Sequence, residues 1–134
     1  MTDWNTQIIE EFRANAGNVG GQFEGAPLLL LRTIGARSGR PRLHPMMYQA
    51  VGDGFAVFAS NAGADTHPAW YHNLLANPAA IAEVGTESIE VIARVLETGQ
   101  REPVWREQTR RYPGFADYEA RTSRVIPVVM LDRL

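Results

Sequence analysis

Cysteine and lysine are both absent from the 134 residues of this sequence. The absence of cysteine excludes disulfides, thiolate nucleophiles and thiolate-bound metals. The absence of lysine excludes Schiff-base chemistry and the phosphate-binding lysine of a P-loop. All 13 basic side chains are therefore arginine, so a bound anion must be met by planar guanidinium groups that form paired hydrogen bonds.

Long apolar segments are lacking as well. No window holds the ~18 consecutive apolar residues that a membrane-spanning helix requires. The first residues, MTDWNTQIIEEF, show no basic leader before an apolar run, so nothing indicates secretion and a cytoplasmic location is predicted. A hydrophobic content of 45% and a charged content of 21% predict one globular domain over residues 1–134, in which residues 1–26 form an N-terminal helix and a loop.

Helical spacing of apolar residues marks several segments of the chain. Asp3 is the predicted N-cap of the first helix. Pro68 is predicted at the first position of the second helix, after a cap at Asp65 or Thr66. The predicted helices cover residues 3–15, 68–77, 102–112 and 115–121.

Short apolar or alternating segments between these helices predict strands. Asp53-Gly54 and Gly85-Thr86 predict hairpin turns, because glycine accepts the positive φ that such turns need. Strands that do not alternate with helices favour an antiparallel sheet, and closure into a barrel would remove its edges. The prediction is an α+β fold, a closed or split β-barrel with peripheral helices, whose strands cover residues 28–34, 42–51, 55–60, 79–84, 88–97 and 125–131.

Positive charge is concentrated in the loop GARSGRPR and its surroundings. No acidic residue occurs between Gly25 and Gly52, a stretch that contains Arg32, Arg37, Arg40 and Arg42. Gly35 and Gly39 allow a tight turn, and Ser38 adds a hydroxyl donor. A lone arginine on a loop is usually just solvated, but this clustering predicts a site for phosphate or carboxylate.

Other chemistries are disfavoured. The loop matches neither a P-loop nor a dinucleotide fingerprint, and His44, His67 and His72 lack metal-ligand spacing. Nucleic acid is not a predicted partner, because the basic residues are confined to one loop and the sequence pI is about 5.9. In HPAWYHN, Trp70 and Asn73 share one helix face, and Tyr71 lies on another. Taken alone, a Trp-Tyr pair of this kind is more often part of a core than a cofactor contact.

Four segments, in this order, resemble the deazaflavin-dependent nitroreductase family of actinobacteria, whose members use coenzyme F420: LRTIGARSGRPRLHPMMY, VFASNAG, HPAWYHNLLANP and RYPGFADYEARTSRVIPVVML. The similarity runs from about Leu30 to Leu131 with family-like spacing. It implies a split β-barrel of the flavin-reductase, FMN-binding type, with the deazaflavin ring in a groove. It also implies that the phosphate and the polyglutamate tail lie on the basic loop.

The resemblance implies cofactor contacts in four stretches of this sequence. Trp70 and Asn73 are expected to flank the cofactor. The implied cofactor-binding residues are Ala36, Arg37, Ser38, Arg40, Arg42, Leu43, His44, Pro45, Met46, Met47, Phe58, Ala59, Ser60, Asn61, Ala69, Trp70, Tyr71, His72 and Asn73. Asn61 stands where the family has a basic residue, which weakens the expected contact with an anion at this position.

The resemblance also implies the substrate pocket. The nitroreductase members carry Tyr-Pro-x-Tyr-x-x-Tyr, where this chain has Tyr112, Phe115 and Tyr118. Because the middle hydroxyl is missing, reduction of quinones or enones is expected over reduction of nitroimidazoles.

The resulting hypothesis is a reductase that transfers a hydride from C5 of reduced F420 to an electron-poor small molecule, which is a quinone, an enone or a nitro compound. Tyr112, Tyr118 or water would complete protonation. A non-catalytic F420 or flavin carrier and an FMN-dependent reductase are the alternatives. The N-terminal helix is expected to cap the groove, with peripheral membrane association or a homodimer as alternatives to a capped monomer.

Overall fold

The computed structural model describes residues 4–21 and 25–134, apart from the side chains of residues 4, 5 and 62. The predicted cap Asp3 lies outside the described residues. The helices are α1 (Trp4–Ala14), α2 (Ala69–Ala76), α3 (Thr98–Arg111) and α4 (Gly114–Ala120). The strands are β1 (Leu28–Ile34), β2 (Pro41–Val51), β3 (Gly54–Phe58), β4 (Ala79–Val84), β5 (Glu87–Val95) and β6 (Val128–Arg133).

The strands form a closed antiparallel barrel in the order β1-β2-β3-β6-β5-β4. Closure comes from β1, which pairs with β2 along its whole length and with β4 through Leu30, Leu31 and Arg32. The predicted α+β barrel with peripheral helices is confirmed. Each of the six described strands has two neighbours, and closure of a sheet in this way removes its edges.

Strand β1 is apolar on both faces because both faces are covered. Leu29 and Leu31 belong to the barrel interior, and Leu28 and Leu30 pack outward against Phe12 of α1. Successive strand residues point to opposite faces, so a run of four leucines suits a strand buried on both sides. Helix α1 thus closes one side of the barrel.

Helices α3 and α4 cover another side. Trp105 of α3 and Phe115 of α4 pack on Phe58 of β3, with ring centroids 6.0 and 5.6 Å from that of Phe58. The same cluster includes Ile126 and Val128 at the start of β6. This packing fixes α4 beside the end of β3.

The first hairpin turn lies one residue earlier than predicted. Val51 pairs with Gly54, so the turn residues are Gly52 and Asp53, and Gly52 has the positive φ of 58°. Gly54 is needed for a different reason: a Cβ there would lie 2.7 Å from the carbonyl oxygen of Leu131. The second hairpin prediction is confirmed, with Gly85 at φ 59°.

Two predicted helix starts are wrong. Helix α2 begins at Ala69, so Pro68 is its N-cap rather than its first residue, and no side chain caps it. Helix α3 begins at Thr98, four positions before the predicted residue 102. Its start is fixed by Glu97 and Gln100, which form a reciprocal capping box that the sequence interpretation overlooked.

Candidate active site

The basic loop between β1 and β2 is a compact turn. Gly35 N–H donates to the carbonyl of Arg40 at 2.8 Å, and Gly39 N–H donates to that of Gly35 at 2.9 Å. Arg40 N–H donates to Ser38 Oγ at 3.2 Å, and Gly39 has a φ of 69°. Because the backbone is tied in this way, the exposed side chains of the loop project from a defined base.

Asn73 of α2 anchors this loop to the barrel. Its Oδ1 accepts a hydrogen bond from Ala36 N–H at 2.9 Å, and its Nδ2 donates to Thr33 Oγ1 at 3.0 Å. Asn73 and Thr33 are both buried, so these bonds are protected from competition by water. The amide of Asn73 therefore sets the position of the loop relative to α2.

A cavity of about 580 Å³ opens between the loop and α2. We call it the cationic cavity, because Arg37 and Arg42 lie in its wall. It is lined by Gly35, Ala36, Arg37, Ser38, Arg42, His44, Ala69, His72 and Asn73. Neither arginine forms an ion pair with any residue that the structure describes. Their charge is therefore available to an anion.

A second cavity of about 490 Å³ lies beside it, between β2, β3, α2 and α4. We call it the aromatic cavity. It is lined by His44, Pro45, Met46, Met47, Phe58, Ser60, Asn61, His67, Pro68, Ala69, Trp70, Phe115 and Tyr118. Since both cavities include His44 and Ala69, they form one groove with a cationic end and an aromatic end.

His44 stands where the two cavities meet. Its Nε2 is buried and has no hydrogen-bond partner among the described residues. Burial lowers the pKa of His44, and the positive charge of Arg42 lowers it further. A neutral ring with an unsatisfied nitrogen fits a polar ligand in the groove, because leaving a buried polar atom unpaired costs roughly 1–3 kcal/mol.

Arg124, which precedes β6, clamps the wall of the aromatic cavity. Its Nη1 donates to the carbonyl of Ala59 at 3.1 Å and contacts His67 Nδ1 at 3.0 Å. Its Nη2 donates to the carbonyl of Ser60 at 2.7 Å, and its Nε donates to that of Ala64 at 2.8 Å. One side chain thus joins the loop after β3 to the segment that leads into α2.

A larger cavity, of about 960 Å³, is formed by the end of α1, the loop after it and the β4–β5 turn. Glu11 is the one charged residue among its described lining, and no predicted site residue lies there. Size therefore does not identify the site; the convergence of charge, aromatic rings and an unpaired histidine nitrogen does.

Comparison with known proteins identifies the family of this chain. The family described as F420H(2)-dependent quinone reductase matches residues 4–133. This chain belongs to that family.

Individual relatives support the assignment. The F420H(2)-dependent quinone reductase Rv1261c of Mycobacterium tuberculosis is 36% identical over 129 residues, which cover 91% of this chain and 85% of that relative. The solved structure of an F420-H2 dependent reductase, FDR-A, is 36% identical with a TM-score of 0.73, covering 79% of this chain and 94% of that one. The predicted F420H2-dependent oxidoreductase, with F420 as its cofactor, is confirmed by this family membership.

More distant structures share the fold alone. The heme storage protein HutZ from Vibrio cholerae is 18% identical with a TM-score of 0.59, covering 94% of this chain and 87% of that one. At such low identity the likeness concerns the barrel and says nothing about the ligand.

Within the F420H(2)-dependent quinone reductase fold, most of the sequence-predicted site residues line the groove. Those that do are Ala36, Arg37, Ser38, Arg42, His44, Pro45, Met46, Met47, Phe58, Ser60, Asn61, Ala69, Trp70, His72, Asn73, Phe115 and Tyr118. They come from separate parts of the chain, and the barrel brings them together. Trp70 lies at the aromatic end and Asn73 at the cationic end, on the shared face that their spacing predicts.

Five predicted residues do not line the groove: Arg40, Leu43, Ala59, Tyr71 and Tyr112. Leu43 packs towards α1, and Tyr112 packs with the Trp105 cluster. Tyr71 faces a separate small cavity beside Leu75, and Ala59 is fully buried. Arg40 is exposed on the turn and lines neither cavity.

The predicted cluster of four arginines is divided by the strand. Arg32 lies on β1 and lines a different cavity, with Ile81 and Glu90. Of the four, Arg37 and Arg42 line the cationic cavity. Fewer arginines therefore line the site than the sequence indicates, and those that do lie at one end of the groove.

Sequence reasoning missed the clamp formed by Arg124 and His67. The sequence pattern indicates only that His67 lacks metal-ligand spacing, and it assigns Arg124 no role. No group of three or more potential metal ligands occurs in the described part of the chain. Among the described residues, none of the helices combines the length and the apolar character needed to cross a membrane.

Proposed function

We propose that this protein reduces a small quinone with reduced F420, and that the cofactor occupies the groove between the basic loop and α4. The observation that carries the proposal is the joining of a cationic and an aromatic cavity at His44. When bound, reduced F420 supplies a hydride. The residues of this chain bind and orient the two reactants and exclude water.

The cationic cavity suits the anionic tail of the cofactor. Arg37 and Arg42 supply guanidinium groups, and Ser38 keeps its hydroxyl hydrogen free to donate, because its Oγ is the acceptor for Arg40 N–H. Charge-assisted hydrogen bonds of this kind contribute roughly 1.5–3 kcal/mol each. The phosphate and the carboxylates of the tail can each accept such bonds.

The aromatic cavity suits a flat acceptor. Phe115 and Tyr118 have ring centroids 5.4 Å apart, and the centroid of Phe58 lies 5.6 Å from that of Phe115. A quinone ring can pack against these rings while its oxygens accept hydrogen bonds. Tyr118 lines the cavity and Tyr112 does not, so Tyr118 or water is the proposed source of the proton.

The first experiment is a binding titration of the purified protein with oxidised F420 and, separately, with FMN. Trp70 lines the groove, so tryptophan fluorescence should report binding. A turnover assay with reduced F420 and menadione follows. F420 binding with menadione-dependent oxidation is expected. F420 binding without turnover on quinone, enone or nitro acceptors would favour a carrier, and a preference for FMN would overturn the assignment of the cofactor to this groove.

Assembly and location are the remaining proposals. A structure that is 34% identical, with a TM-score of 0.74 over 95% of this chain and 93% of that one, is described as a domain-swapped dimer. We propose a homodimer, which light scattering coupled to size exclusion would distinguish from a monomer. The cytoplasmic location and peripheral membrane association stay predictions, and cell fractionation would test both.

A further inference from the structure

We infer that His67 is the hydrogen-bond donor to the oxygen of the electron acceptor, and that Arg124 is a positioning residue that fixes the tautomer of His67. The inference rests on the proposed function, since it assigns a role within the aromatic cavity. His67 lines that cavity, and Arg124 holds it from behind. Neither residue is among the predicted site residues.

The tautomer follows from the chemistry of the contact. A guanidinium group has donors and no acceptor, so the 3.0 Å contact between Arg124 Nη1 and His67 Nδ1 requires Nδ1 to accept. A neutral imidazole with an accepting Nδ1 carries its proton on Nε2. His67 therefore offers one N–H group on the side of the ring away from Arg124.

The surroundings keep the ring neutral and in place. Burial lowers the pKa of His67, and the charges of Arg124 and His72 lower it further. The ring also packs against Tyr71, with centroids 4.7 Å apart, and lies 5.9 Å from His72. Protonation of Nδ1 would break its bond to Arg124 and place two positive charges in contact.

Arg124 is itself held firmly. Besides His67 it donates to three backbone carbonyls, those of Ala59, Ser60 and Ala64. Thr122 Oγ1 donates to Asp65 Oδ1 at 2.9 Å. This bond is a second link between the segment that carries Arg124 and the loop after β3. The guanidinium group cannot rotate away from His67 without giving up several hydrogen bonds, so the tautomer is set by the fold.

The chemical consequence concerns the acceptor oxygen. Hydroquinone forms when the quinone gains one hydride, which carries both electrons from the reduced cofactor, and one proton. The proton comes from water, either directly or through Tyr118, which water then reprotonates. The proton that the cofactor loses returns to water. Negative charge develops on the quinone oxygen during this transfer. A fixed N–H group beside that oxygen stabilises the charge without giving up its own proton.

The test compares four variants with the wild-type protein. His67→Gln keeps a donor near the position of Nε2, whereas His67→Phe removes it. Arg124→Gln removes the charge and most of the clamp. Arg106→Gln is the matched control, since Arg106 is an exposed arginine on α3, away from the groove.

Nitrogen-15 spectra of the cofactor-free protein report the tautomer independently of activity. We expect the Nε2–H form of His67 in the wild type and in Arg106→Gln, and a mixture of tautomers in Arg124→Gln. The addition of menadione alone should shift the Nε2 signal of His67. A predominant Nδ1–H form in the wild type would overturn the inference.

Kinetics then test the role. We expect kcat/KM for menadione to fall roughly tenfold in His67→Phe and to recover in part in His67→Gln, while the Kd for F420 stays within about twofold. Values for His67→Phe equal to those of Arg106→Gln would refute the role of His67. If the wild type binds F420 and fails to turn over menadione, the proposed function fails, and the menadione-induced shift at His67 still decides whether the donor meets a quinone.

Discussion

In the proposed function, Arg37 and Arg42 are the residues that bind the anionic tail of the cofactor. Arg37→Ala and Arg42→Ala should each weaken F420 binding at least several-fold, because each removes a charge-assisted hydrogen-bond donor from the cationic cavity. Fluorescence titration at low and high salt would measure this, and the loss should be larger at low salt. Arg40→Ala is the matched control, since Arg40 is on the same turn outside the cavity. Unchanged affinity for F420 in both Arg37→Ala and Arg42→Ala would show that the tail does not bind at this loop.

Phe115 is the residue at which this chain departs from the nitroreductase pattern. Phe115→Tyr should raise activity on nitro acceptors if the missing hydroxyl limits it, because the ring lies in the wall of the aromatic cavity. Steady-state rates with a nitroimidazole and with menadione would measure the change. Tyr112→Phe serves as the comparison, because Tyr112 packs outside the cavity. An unchanged nitroreductase rate would assign the limitation to the shape of the pocket.

For single residues, the sequence predicts contacts between residues that are close along the chain and misses contacts between residues that are far apart along it. Gly35, Ser38 and Arg42 fall within eight residues, so their clustering is visible in the sequence. Arg124 and His67 are 57 residues apart, and no local pattern reports their contact. Leu43 could have been placed correctly, because a strand directs it to the face opposite Arg42 and His44.

Asn73 connects two elements, since its amide joins α2 to the end of β1 and to the basic loop. Asn73→Leu should lower the free energy of unfolding by about 1–3 kcal/mol, because Ala36 N–H loses its acceptor and Thr33 Oγ1 loses a donor. It should also weaken F420 binding, because the loop loses its anchor. Urea denaturation and fluorescence titration would measure the two effects.

The affinity of Asn73→Leu for F420 shows whether Asn73 supports cofactor binding or only the stability of the fold. Leu75→Asn is a control on the exposed face of the same helix and should leave both quantities nearly unchanged. If Asn73→Leu lowered stability while the Kd for F420 stayed the same, the anchor would be purely structural.

The elements themselves were largely predictable, whereas their boundaries were not. The leucine run of β1 and the alternation along β5 identify strands by their apolar pattern alone. Helix α3 starts earlier than predicted because Glu97 and Gln100 cap it, and the apolar pattern does not register such polar contacts. Gly52 and Gly54 illustrate the same limit: both are glycines beside one turn, and only the pairing of Val51 with Gly54 shows which one turns the chain.

For the whole molecule, two histidines link stability to pH. The pKa of both His44 and His67 is lowered, first by burial and then by nearby arginine. The unfolded chain therefore binds more protons than the folded one at pH values between these lowered pKa values and about 6.5, so stability falls as the pH drops below about 6.5. Urea midpoints measured at about pH 7.5 and about pH 5.5 should show the loss.

Substitution tests the origin of this dependence. In the double variant His44→Phe/His67→Phe the difference between the two midpoints should shrink, whatever the absolute stability of the variant. A difference as large as in the wild type would place the responsible groups elsewhere.

Glu107 contributes to stability in a lower range of pH. Hydrogen bonds from Arg110 and Arg111 lower its pKa to about 2, and the stability that it adds is lost as the pH falls towards that value.

The position of β6 in the barrel has a consequence for biosynthesis. Although β6 is the last of the described strands in chain order, it lies between β3 and β5 and joins them in the barrel. Until the ribosome has released residues 128–133, both strands present unpaired edges, and the wall that holds Phe58 has no partner on that side. Such edges invite pairing with other chains. A nascent chain that lacks this strand therefore exposes two strand edges to other chains, and the wall of the groove beside Phe58 is completed only when residues 128–133 have paired with β3.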